Sequence, residues 1–506
     1  MIHEKTAGEL TQALESKTLS VVEIVTAHLK RTEAVNPAVN AVCTVNPQAM
    51  AAATDADRRL ASGGAVRALE GVPFVVKDVI ETKDLRTTFG SLIMDDFVPS
   101  EDAVVVERLK AAGAILLGKA NTPEYAADIT TTNRIFGITR NPWDLNTSAG
   151  GSSGGTGAAV AAGMAPLGVG TDLGGSIRTP AAFNGIVGLR PAPGRVPQYP
   201  QEFGWDTLVP HVTGPMCRTV DDTARMLAVM AGPDDRDPST LPAPAHDYVR
   251  AASGEVSLVG RRIAFAPDLG GRVPTDPEVR AAAEQVAVGF EHLGCVVEEA
   301  CFDLSDLTEI IAGTRAFAMV ARQADRLEAH RDVMTANLIR QAAGALDYDL
   351  RSVTRAERLR TLYWHRLRTF MENYDYIITP TLGVPAFRID QPMPSEVGGV
   401  AVERFADVLL STYAFSVTGL PVMALPCGWN QAGLPLSFQI VGHRLREDLV
   451  LEAASAYAAA HPDCFTSPVV DVNQARPVHG DFTVDYSGFV SSATRLSEAG
   501  ENCENG

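Results

Sequence analysis

Basic residues are scarce in this chain of 506 residues, as are features typical of nucleic-acid-binding, membrane and secreted proteins. Lysine and arginine together number 43 against 61 acidic residues, which gives a formal net charge of −18. Nucleic-acid binding requires a basic face, and this balance argues against one. No stretch reaches the ~18 apolar residues of a transmembrane helix, and the first residues show no apolar signal-peptide core. We therefore expect a cytoplasmic protein that binds neither nucleic acid nor a membrane.

Cysteine is equally scarce and has no pattern. The seven cysteines are odd in number, scattered, and never spaced as Cys-x-x-Cys. Such usage is typical of reduced thiols and argues against a disulfide framework. Apolar residues make up 46 % of the chain, which is the usual proportion in globular proteins and allows a large core. We expect no metal and no cofactor.

Small residues dominate one stretch, from Thr147 to Arg190, which reads TSAGGSSGGTGAAVAAGMAPLGVGTDLGGSIRTPAAFNGIVGLR. Glycine pairs flank Ser152 and Ser153, and another pair precedes Ser176. Because glycine lets the backbone approach a ligand closely, N–H groups near these serines can point into a site. A flexible linker is also rich in glycine and serine, but it would not contain so much Ala, Val and Leu. The stretch is therefore expected inside a folded body.

Strand and helix patterns alternate along the rest of the chain. The segments GRRIAFAPDL, DPEVRAAAEQVAVGFEHLG and CVVEEA, for example, read as one βαβ unit. This alternation predicts an α/β fold with a central mixed β-sheet covered by helices on both faces. We expect an N-terminal helical layer over residues 1–65, one continuous α/β domain over 66–467 and an irregular C-terminal tail over 468–506. In the helical layer, Ser20 and Glu23 form a capping-box pattern for a helix that ends near Pro37.

Lys77 follows directly after the short apolar strand Val72–Val76. Lysine is almost never fully buried unless it is paired. Taken alone, this lysine is explained by an ion pair with Asp78 or by an aliphatic stem that reaches the surface.

Two other motifs fail on their context. Gly113-x4-Gly118-Lys119 imitates a phosphate loop, but Ala120 replaces the required Ser or Thr and the intervening AILL is a strand. Gly150–Gly154 satisfies the Gly-x-Ser-x-Gly pattern of an α/β-hydrolase, but the preceding NPWDLNTSA is not the strand that a nucleophile elbow requires.

Three motifs together resemble the amidase signature family of serine hydrolases: GVPFVVKD, GGSSGG and GTDLGGSIRTPAAFNGIVGLRP. Lys77 matches the catalytic lysine of that family, Ser152 the bridging serine and Ser176 the acylated nucleophile. These residues lie 75 and 24 positions apart, as the family pattern requires, and the resemblance extends over about 7–460. It implies a single large amidase-signature domain, a homodimer as one allowed assembly, and a cis peptide bond before Ser152.

The chemistry of amide hydrolysis explains this choice of residues. An amide is a poor electrophile, so the reaction needs an activated nucleophile, an oxyanion site and an acid for the departing amine. No histidine lies in the three motifs, and a lysine can act as the base only if desolvation keeps it neutral. The hypothesis is a relay in which Ser176 passes its proton to Ser152, and Ser152 passes its own to Lys77.

The neighbouring residues are expected to support this relay. The oxyanion would be held by backbone N–H groups of four consecutive residues, Leu173, Gly174, Gly175 and Ser176. The resemblance implies supporting roles for Ser153, Thr171, Asp172 and Arg178. A structural ion pair explains Asp172 and Arg178 equally well, and Arg178 could instead meet an acidic group of the substrate.

The substrate is expected to be a small-molecule amide with an aryl or medium-sized apolar group. This follows from the aromatic residues of three regions that we expect to form the pocket, 124–136, 198–205 and the helices of 308–350. The candidate pocket residues are Tyr125, Phe136, Tyr199 and Trp205. Carbamates and esters stay open, because the acyl-enzyme step is common to them. The alternative function is the glutaminase subunit of a tRNA-dependent amidotransferase, which shares the family pattern.

Overall fold

A mixed β-sheet organises the computed structural model, which describes residues 1–203, 205, 211–254, 256–402 and 405–472. In chain order the strands of these residues are β1 (Val42–Val45), β2 (Pro73–Lys77), β3 (Ile115–Ala120), β4 (Thr132–Asn133), β5 (Gly137–Ile138), β6 (Leu167–Asp172), β7 (Val187–Arg190), β8 (Val212–Cys217), β9 (Arg262–Phe265), β10 (Val296–Glu299), β11 (Tyr376–Pro380), β12 (Glu396–Val397), β13 (Val400–Ala401), β14 (Val422–Trp429) and β15 (Pro435–Val441). Eleven of them form one sheet in the described chain, in the order β1-β3-β2-β6-β8-β7-β14-β15-β11-β9-β10, and the other four pair as β4-β5 and β12-β13.

Helices surround this sheet. In chain order those of the described residues are α1 (Ala7–Glu15), α2 (Val21–Val39), α3 (Ala49–Ala61), α4 (Val104–Ala111), α5 (Gly154–Ala161), α6 (Arg178–Asn184), α7 (Val220–Met230), α8 (Tyr248–Ala251), α9 (Pro277–His292), α10 (Leu307–His330), α11 (Ala336–Ala345), α12 (Leu350–Met371), α13 (Phe405–Val408), α14 (Leu410–Ser416) and α15 (Glu447–Ala460). No helix of the described ranges is both long enough and apolar enough to cross a membrane.

The sheet is mixed, as predicted. β2 runs parallel to both of its neighbours, β3 and β6, whereas β6 pairs with β8 in the antiparallel sense. At the other end β9 lies parallel to β10 and β11, and these strands with α9 confirm the predicted βαβ unit. The end of β2 therefore lies inside the sheet, with a strand on each side of it.

Both faces of the sheet are covered. Successive strand residues point to opposite faces, and along β11 they belong to two separate apolar clusters. Tyr376 and Ile378 pack in one cluster, together with Val25 of α2 and Val450 of α15. Ile377 packs in the other, which contains residues of α10, α12 and α14. Burial on both faces explains why the strands read as nearly continuous apolar runs.

The N-terminal layer differs in part from the prediction. Its helix α2 begins with the expected capping box, in which Glu23 N donates to Ser20 Oγ over 3.2 Å and Ser20 N donates to Glu23 Oε2 over 2.8 Å. The helix ends near Pro37, as predicted. Val39 is its last residue, and the following Asn40 is left-handed with φ 53°.

The same layer also contributes to the sheet, since β1 pairs with β3. Of the predicted tail, residues 468–471 have no regular structure, and residues 473–506 lie outside the described residues.

Candidate active site

Lys77 ends β2 inside the protein. Its side chain has no solvent-exposed surface, and Nζ donates to Ser152 Oγ over 2.6 Å and to Thr171 Oγ1 over 2.9 Å. Thr171 reaches the lysine because β6 lies beside β2, with Val76 paired to Val169. The sequence predicted a supporting role for Thr171, and the structure places its hydroxyl on the lysine amine.

Burial controls the charge of this amine. Removal from water lowers the pKa of Lys77 well below its ordinary value, although the Asp172 carboxylate acts in the opposite direction. The hydrogen-bond partners of the amine are two neutral hydroxyl oxygens, and they stabilise an ammonium less than a carboxylate would. Lys77 therefore meets the physical requirement for a neutral amine, which can accept a proton.

Ser152 lies in the loop that leads into α5. Its peptide bond with Gly151 is cis, as the resemblance implied, and its carbonyl oxygen accepts a hydrogen bond from Thr122 Oγ1 over 3.1 Å. The small residues that follow are required by close backbone packing. A Cβ on Gly155 would lie 2.3 Å from the backbone nitrogen of Asn121.

Ser176 lies on the wall of a cavity, between β6 and α6, and is partly exposed. Its carbonyl oxygen accepts a hydrogen bond from Ser153 N over 3.1 Å, which ties the two serine loops together. Among the described residues no hydrogen bond joins the Ser176 hydroxyl to that of Ser152. The structure thus contains the Lys77–Ser152 contact of the hypothetical relay but not the Ser152–Ser176 contact.

Ser153 contacts the backbone and not the relay hydroxyls. Its Oγ lies 3.3 Å from both the carbonyl oxygen and the nitrogen of Thr171. This geometry joins the first serine loop to the end of β6, so Ser153 has a structural position.

Asp172 organises the predicted oxyanion loop. Its carboxylate accepts hydrogen bonds from Gly175 N over 2.8 Å and from Ile177 N over 3.2 Å. The N–H of Gly175 is therefore already bonded in this structure, which makes it the weakest of the four predicted oxyanion donors. Gly175 still has a conformational role, because its φ of +128° is a value that other residues rarely adopt. The backbone N–H groups of Leu173, Gly174 and Ser176 stay as candidate donors.

Two arginines balance the charge of Asp172. Arg178 contacts both carboxylate oxygens at 3.1 and 3.2 Å, and Arg190 Nε lies 3.7 Å from Oδ1. Burial alone would raise the pKa of this carboxyl, but the two guanidinium groups hold it well below its usual range. Arg178 is fully buried and also donates to the carbonyl oxygen of Thr412 over 3.0 Å. It does not line the cavity, so the structure supports the ion pair and not a contact with an acidic substrate group.

The cavity beside Ser176 has a volume of about 320 Å³. Ser152, Thr171, Leu173 and Gly174 line it together with Ser176. Its apolar and aromatic wall consists of Val79, Ile80, Phe89, Met94, Val105, Tyr125, Tyr199, Phe203, Met319, Leu409 and Tyr413. Two of the four candidate pocket residues, Tyr125 and Tyr199, therefore line the cavity.

The other two candidate residues, Phe136 and Trp205, are not among the residues that line it. Phe136 packs under the guanidinium of Arg86, 5.3 Å from the ring centroid, and its carbonyl oxygen accepts from Asn40 Nδ2 over 2.7 Å. These contacts hold Phe136 outside the cavity wall. Trp205 is 76 % exposed. Aromatic content indicated a pocket region, but it could not indicate which side chains turn inward.

Several charged and polar cavity residues were not named by the sequence analysis, although all but Glu81 and His211 lie in its three expected pocket regions. They are Glu81, Asp128, Gln198, Glu202, His211, Arg315, Arg322, Gln323 and Arg326. The arginines lie on α10, where their spacing of seven and four residues places them on one helix face; that periodicity was the available signal. His211 lies outside the three motifs and gave no signal. No group of three or more His, Cys, Asp or Glu side chains in the described ranges is placed to hold a metal ion.

Comparison with known proteins gives one consistent result. The family model described as Amidase matches residues 23–451. An acylamidase of Rhodococcus erythropolis is 37 % identical over 468 residues, which covers 91 % of this chain and 96 % of that protein. One of the subunits of the glutamyl-tRNA(Gln) amidotransferase of Methylococcus capsulatus is also 37 % identical, over 487 residues, covering 91 % and 97 %.

Solved structures agree with the sequence comparison. A bacterial aryl acylamidase of the amidase signature family superposes with a TM-score of 0.85 at 29 % identity, over 94 % of this chain and 100 % of that one. The peptide amidase of Stenotrophomonas maltophilia gives a TM-score of 0.77 at 28 % identity, over 92 % and 99 %. The fold is thus that of a hydrolase built on a single large mixed sheet. The chain belongs to the amidase signature family.

Proposed function

We propose that this chain is an amidase that hydrolyses C–N bonds of small amides through an acyl-enzyme on Ser176. Lys77 is the base and Ser152 carries the proton between them. The observation that carries the proposal is the 2.6 Å contact between the Lys77 amine and the Ser152 hydroxyl, away from water. Within the described residues no carboxylate forms a salt bridge with Lys77. A buried ammonium without such a partner would be strongly destabilising, whereas a neutral amine avoids this cost and can act as a base.

The reaction balances in two halves. As Ser176 Oγ attacks the carbonyl carbon, its proton passes to Ser152 and the proton of Ser152 passes to Lys77, which becomes an ammonium. The C–N bond then breaks, and the same proton returns through Ser152 to the leaving nitrogen. Water repeats the cycle on the ester, releasing the carboxylic acid and restoring Ser176. This scheme requires the Ser176 hydroxyl to reach Ser152 once substrate is bound.

Charge on the tetrahedral oxygen needs donors that are already in position. The proposed donors are the backbone N–H groups of Leu173, Gly174 and Ser176. Asp172 supports them indirectly, because its bonds to Gly175 N and Ile177 N fix the curvature of the loop. Arg178 and Arg190 in turn keep Asp172 charged.

The proposed substrates carry an aryl or medium-sized apolar group. The cavity offers about 320 Å³ with a largely apolar wall, which suits a compact substrate. Relatives described as acylamidase and aryl acylamidase support the same class. Amides, anilides, carbamates and esters of one acyl group, assayed with Ser176→Ala as blank, test it. We expect turnover with the wild type and none with the variant, and an equally active variant would refute the assignment of the nucleophile.

Mass spectrometry separates the mechanism from the substrate class. An aryl ester mixed rapidly with the wild type should add one acyl group, and digestion should place it on the peptide that contains Ser176. Ser176→Ala should remain unmodified. Acylation of another residue would contradict the mechanism.

A second function is supported by the amidotransferase relatives, whose identity of 37 % equals that of the acylamidase. In that case the chain would release ammonia from glutamine only within a complex. Anilide turnover by the isolated chain, measured together with its size by gel filtration, distinguishes the two, because a glutaminase that acts only within a complex would turn over neither glutamine nor anilides on its own. Turnover of anilides without glutaminase activity is expected for a free-standing amidase.

A further inference from the structure

His211 lies on the cavity wall, beside the loop that holds the proposed oxyanion donors. It directly precedes β8, in which Val212 pairs with Asp172 of β6. Continuing this antiparallel register places His211 opposite Leu173. Both residues line the cavity together with Ser176, and the His211 side chain is partly exposed there.

Gln198 fixes the orientation of the imidazole ring and its tautomer. The Gln198 amide nitrogen donates to the carbonyl oxygen of His211, and its Oε1 lies 3.1 Å from His211 Nδ1. A carbonyl can only accept, so the first contact identifies the amide nitrogen and leaves Oε1 facing the ring. Because Oε1 is also only an acceptor, Nδ1 must carry the proton.

Gln198 is itself anchored. Its backbone nitrogen donates to Asp237 Oδ2 over 2.9 Å, and the Asp237 side chain is buried. The other oxygen of Asp237 accepts from Ser239 N over 2.9 Å and from Ser239 Oγ over 2.7 Å. The loop that carries Gln198 therefore holds the ring in place before any ligand arrives.

With a proton on Nδ1, Nε2 of the neutral ring is a hydrogen-bond acceptor. Within the described ranges Nε2 makes no hydrogen bond, whereas Nδ1 does. The enclosed position of the ring, together with the positive charge of Arg322, lowers the pKa of His211 to about 3. The ring is therefore neutral near pH 7.

We propose that Nε2 of His211 accepts the N–H of the amide bond that Ser176 attacks, so that the site selects primary and secondary amides. This N–H is the one donor that all such substrates share and that esters and tertiary amides lack. An amide N–H enclosed in a cavity without an acceptor carries a desolvation penalty. The inference rests on the proposed function and assigns a substrate-binding role.

The carboxylates of the cavity are weaker candidates for this contact. Glu202 is paired with Arg326. Asp128 accepts from Ile129 N over 2.7 Å and from Asn337 Nδ2 over 2.8 Å. Two rivals remain and are included in the test. Burial raises the pKa of Glu81, and the Gln323 amide oxygen lies in the cavity wall, buried and without a hydrogen-bond partner among the described residues.

The test compares kcat/KM for three substrates with one acyl group: a secondary anilide, its N-methyl derivative and the aryl ester. His211→Asn keeps a polar group near the position of Nδ1 and removes the acceptor at Nε2. His211→Gln extends an amide oxygen to the position of Nε2. Loss of one hydrogen bond in an enclosed site corresponds to about a 10- to 100-fold lower kcat/KM. We expect that loss for the anilide with His211→Asn, a change below about 3-fold for the ester, and recovery with His211→Gln.

Other outcomes overturn the inference. Equal losses of kcat/KM for the anilide and the ester with His211→Asn would show that His211 only shapes the site. An unchanged anilide-to-ester ratio of kcat/KM would show that Nε2 does not accept the substrate N–H. An equal change in the anilide-to-ester ratio of kcat/KM by Glu81→Leu or by Gln323→Leu would assign the contact to that residue, because leucine has no acceptor. If His211→Asn fails to fold, the test uses the wild type and His211→Gln instead. Both have an acceptor at this position, so both must have a higher kcat/KM for the secondary anilide than for the N-methyl anilide, and the absence of this preference would contradict the inference. Ser176→Ala is the separate control, since activity in that variant would refute the proposed function and not the role of His211.

Discussion

The amine of Lys77 lies 2.6 Å from the hydroxyl oxygen of Ser152, and neither side chain has any exposed surface. The contact joins two distant segments of the chain, the end of β2 and the loop before α5. Its chemical meaning depends on the charge of the lysine, which is set by burial because no carboxylate forms a salt bridge with Lys77 in the described residues.

The first prediction concerns the pH dependence of activity. The pKa of Lys77 in the folded enzyme is lowered well below its ordinary value, so the ammonium loses its proton within an accessible pH range. A base acts only in its neutral form. We therefore expect kcat/KM for an anilide to rise with pH, with the slope that the loss of a single proton produces, and then to level off. A profile that falls as pH rises through this range would contradict a neutral lysine.

Removal of the lysine gives the matching prediction. Lys77→Met keeps the length and apolar stem of the side chain but removes the amine, and loss of one member of a catalytic triad costs about 10⁴-fold or more in kcat. We expect that loss with the fold retained, measured by steady-state kinetics and circular dichroism. Lys110→Met, which removes a partly exposed ion pair with Asp102, is the matched control and should keep its activity.

The cluster of Asp172 with Arg178 and Arg190 predicts a large effect on stability. Asp172→Asn would leave two buried guanidinium groups without a counter-charge, and breaking a buried ion pair on one side costs about 3–5 kcal/mol. Urea unfolding should show a fall of that order in the free energy of unfolding. Asp221→Asn breaks the exposed pair with Arg225 and should cost less than about 1 kcal/mol. Similar losses in both variants would contradict the assigned role.

Much of the contact network of the candidate site could be predicted from the sequence, because its residues lie in short motifs of fixed spacing. Lys77, Ser152 and Thr171 are examples, since adjacent strands bring the motif ends together. Side-chain direction in the connecting loops could not be predicted in this way. Trp205 is exposed, and the contact of Gln198 with His211 depends on a loop pairing that no periodic pattern records.

The hydrogen bond from Gly175 N to the Asp172 carboxylate also could not be predicted from the sequence. Its glycine identity agrees equally with an oxyanion donor and with a turn of positive φ. Only the structure shows that the Asp172 carboxylate lies 2.8 Å from its nitrogen and accepts its N–H.

Gly174 provides a prediction about the shape of the site. A Cβ at this position would lie 2.2 Å from the ring of Tyr413, and forcing extra volume into a packed site costs about 1–3 kcal/mol. Gly174→Ala should therefore lower thermal stability and displace the loop, with loss of anilide turnover. Gly8→Ala in α1 is the control, because its Cβ would come no closer than 3.2 Å to flexible side chains; it should keep both properties. Activity close to that of the wild type in Gly174→Ala would contradict the geometry.

The burial of His28 predicts how the stability of the protein changes in acid. It is fully buried in α2, its Nδ1 lies 2.8 Å from the carbonyl oxygen of Ile24, and its Nε2 has no hydrogen-bond partner among the described residues. Protonation would therefore create a buried N–H without an acceptor. Burial accordingly lowers the pKa of His28 to about 4, from about 6.5 in an unfolded chain.

The sign of the resulting pH effect follows from proton binding. Between pH 6.5 and 4 the unfolded chain binds a proton at position 28 that the folded chain does not, so the free energy of unfolding falls as the pH falls. The shift limits the loss to about 3 kcal/mol. His28→Leu should lack this loss, and the difference between the two variants in urea unfolding should vary with pH. Other groups, such as Asp222 with its pKa raised to about 6, contribute equally to the stability of the wild type and of His28→Leu. Their contributions therefore cancel in the difference between the two. Parallel curves from pH 7 to pH 4 would show that His28 binds its proton equally in the folded and unfolded chains.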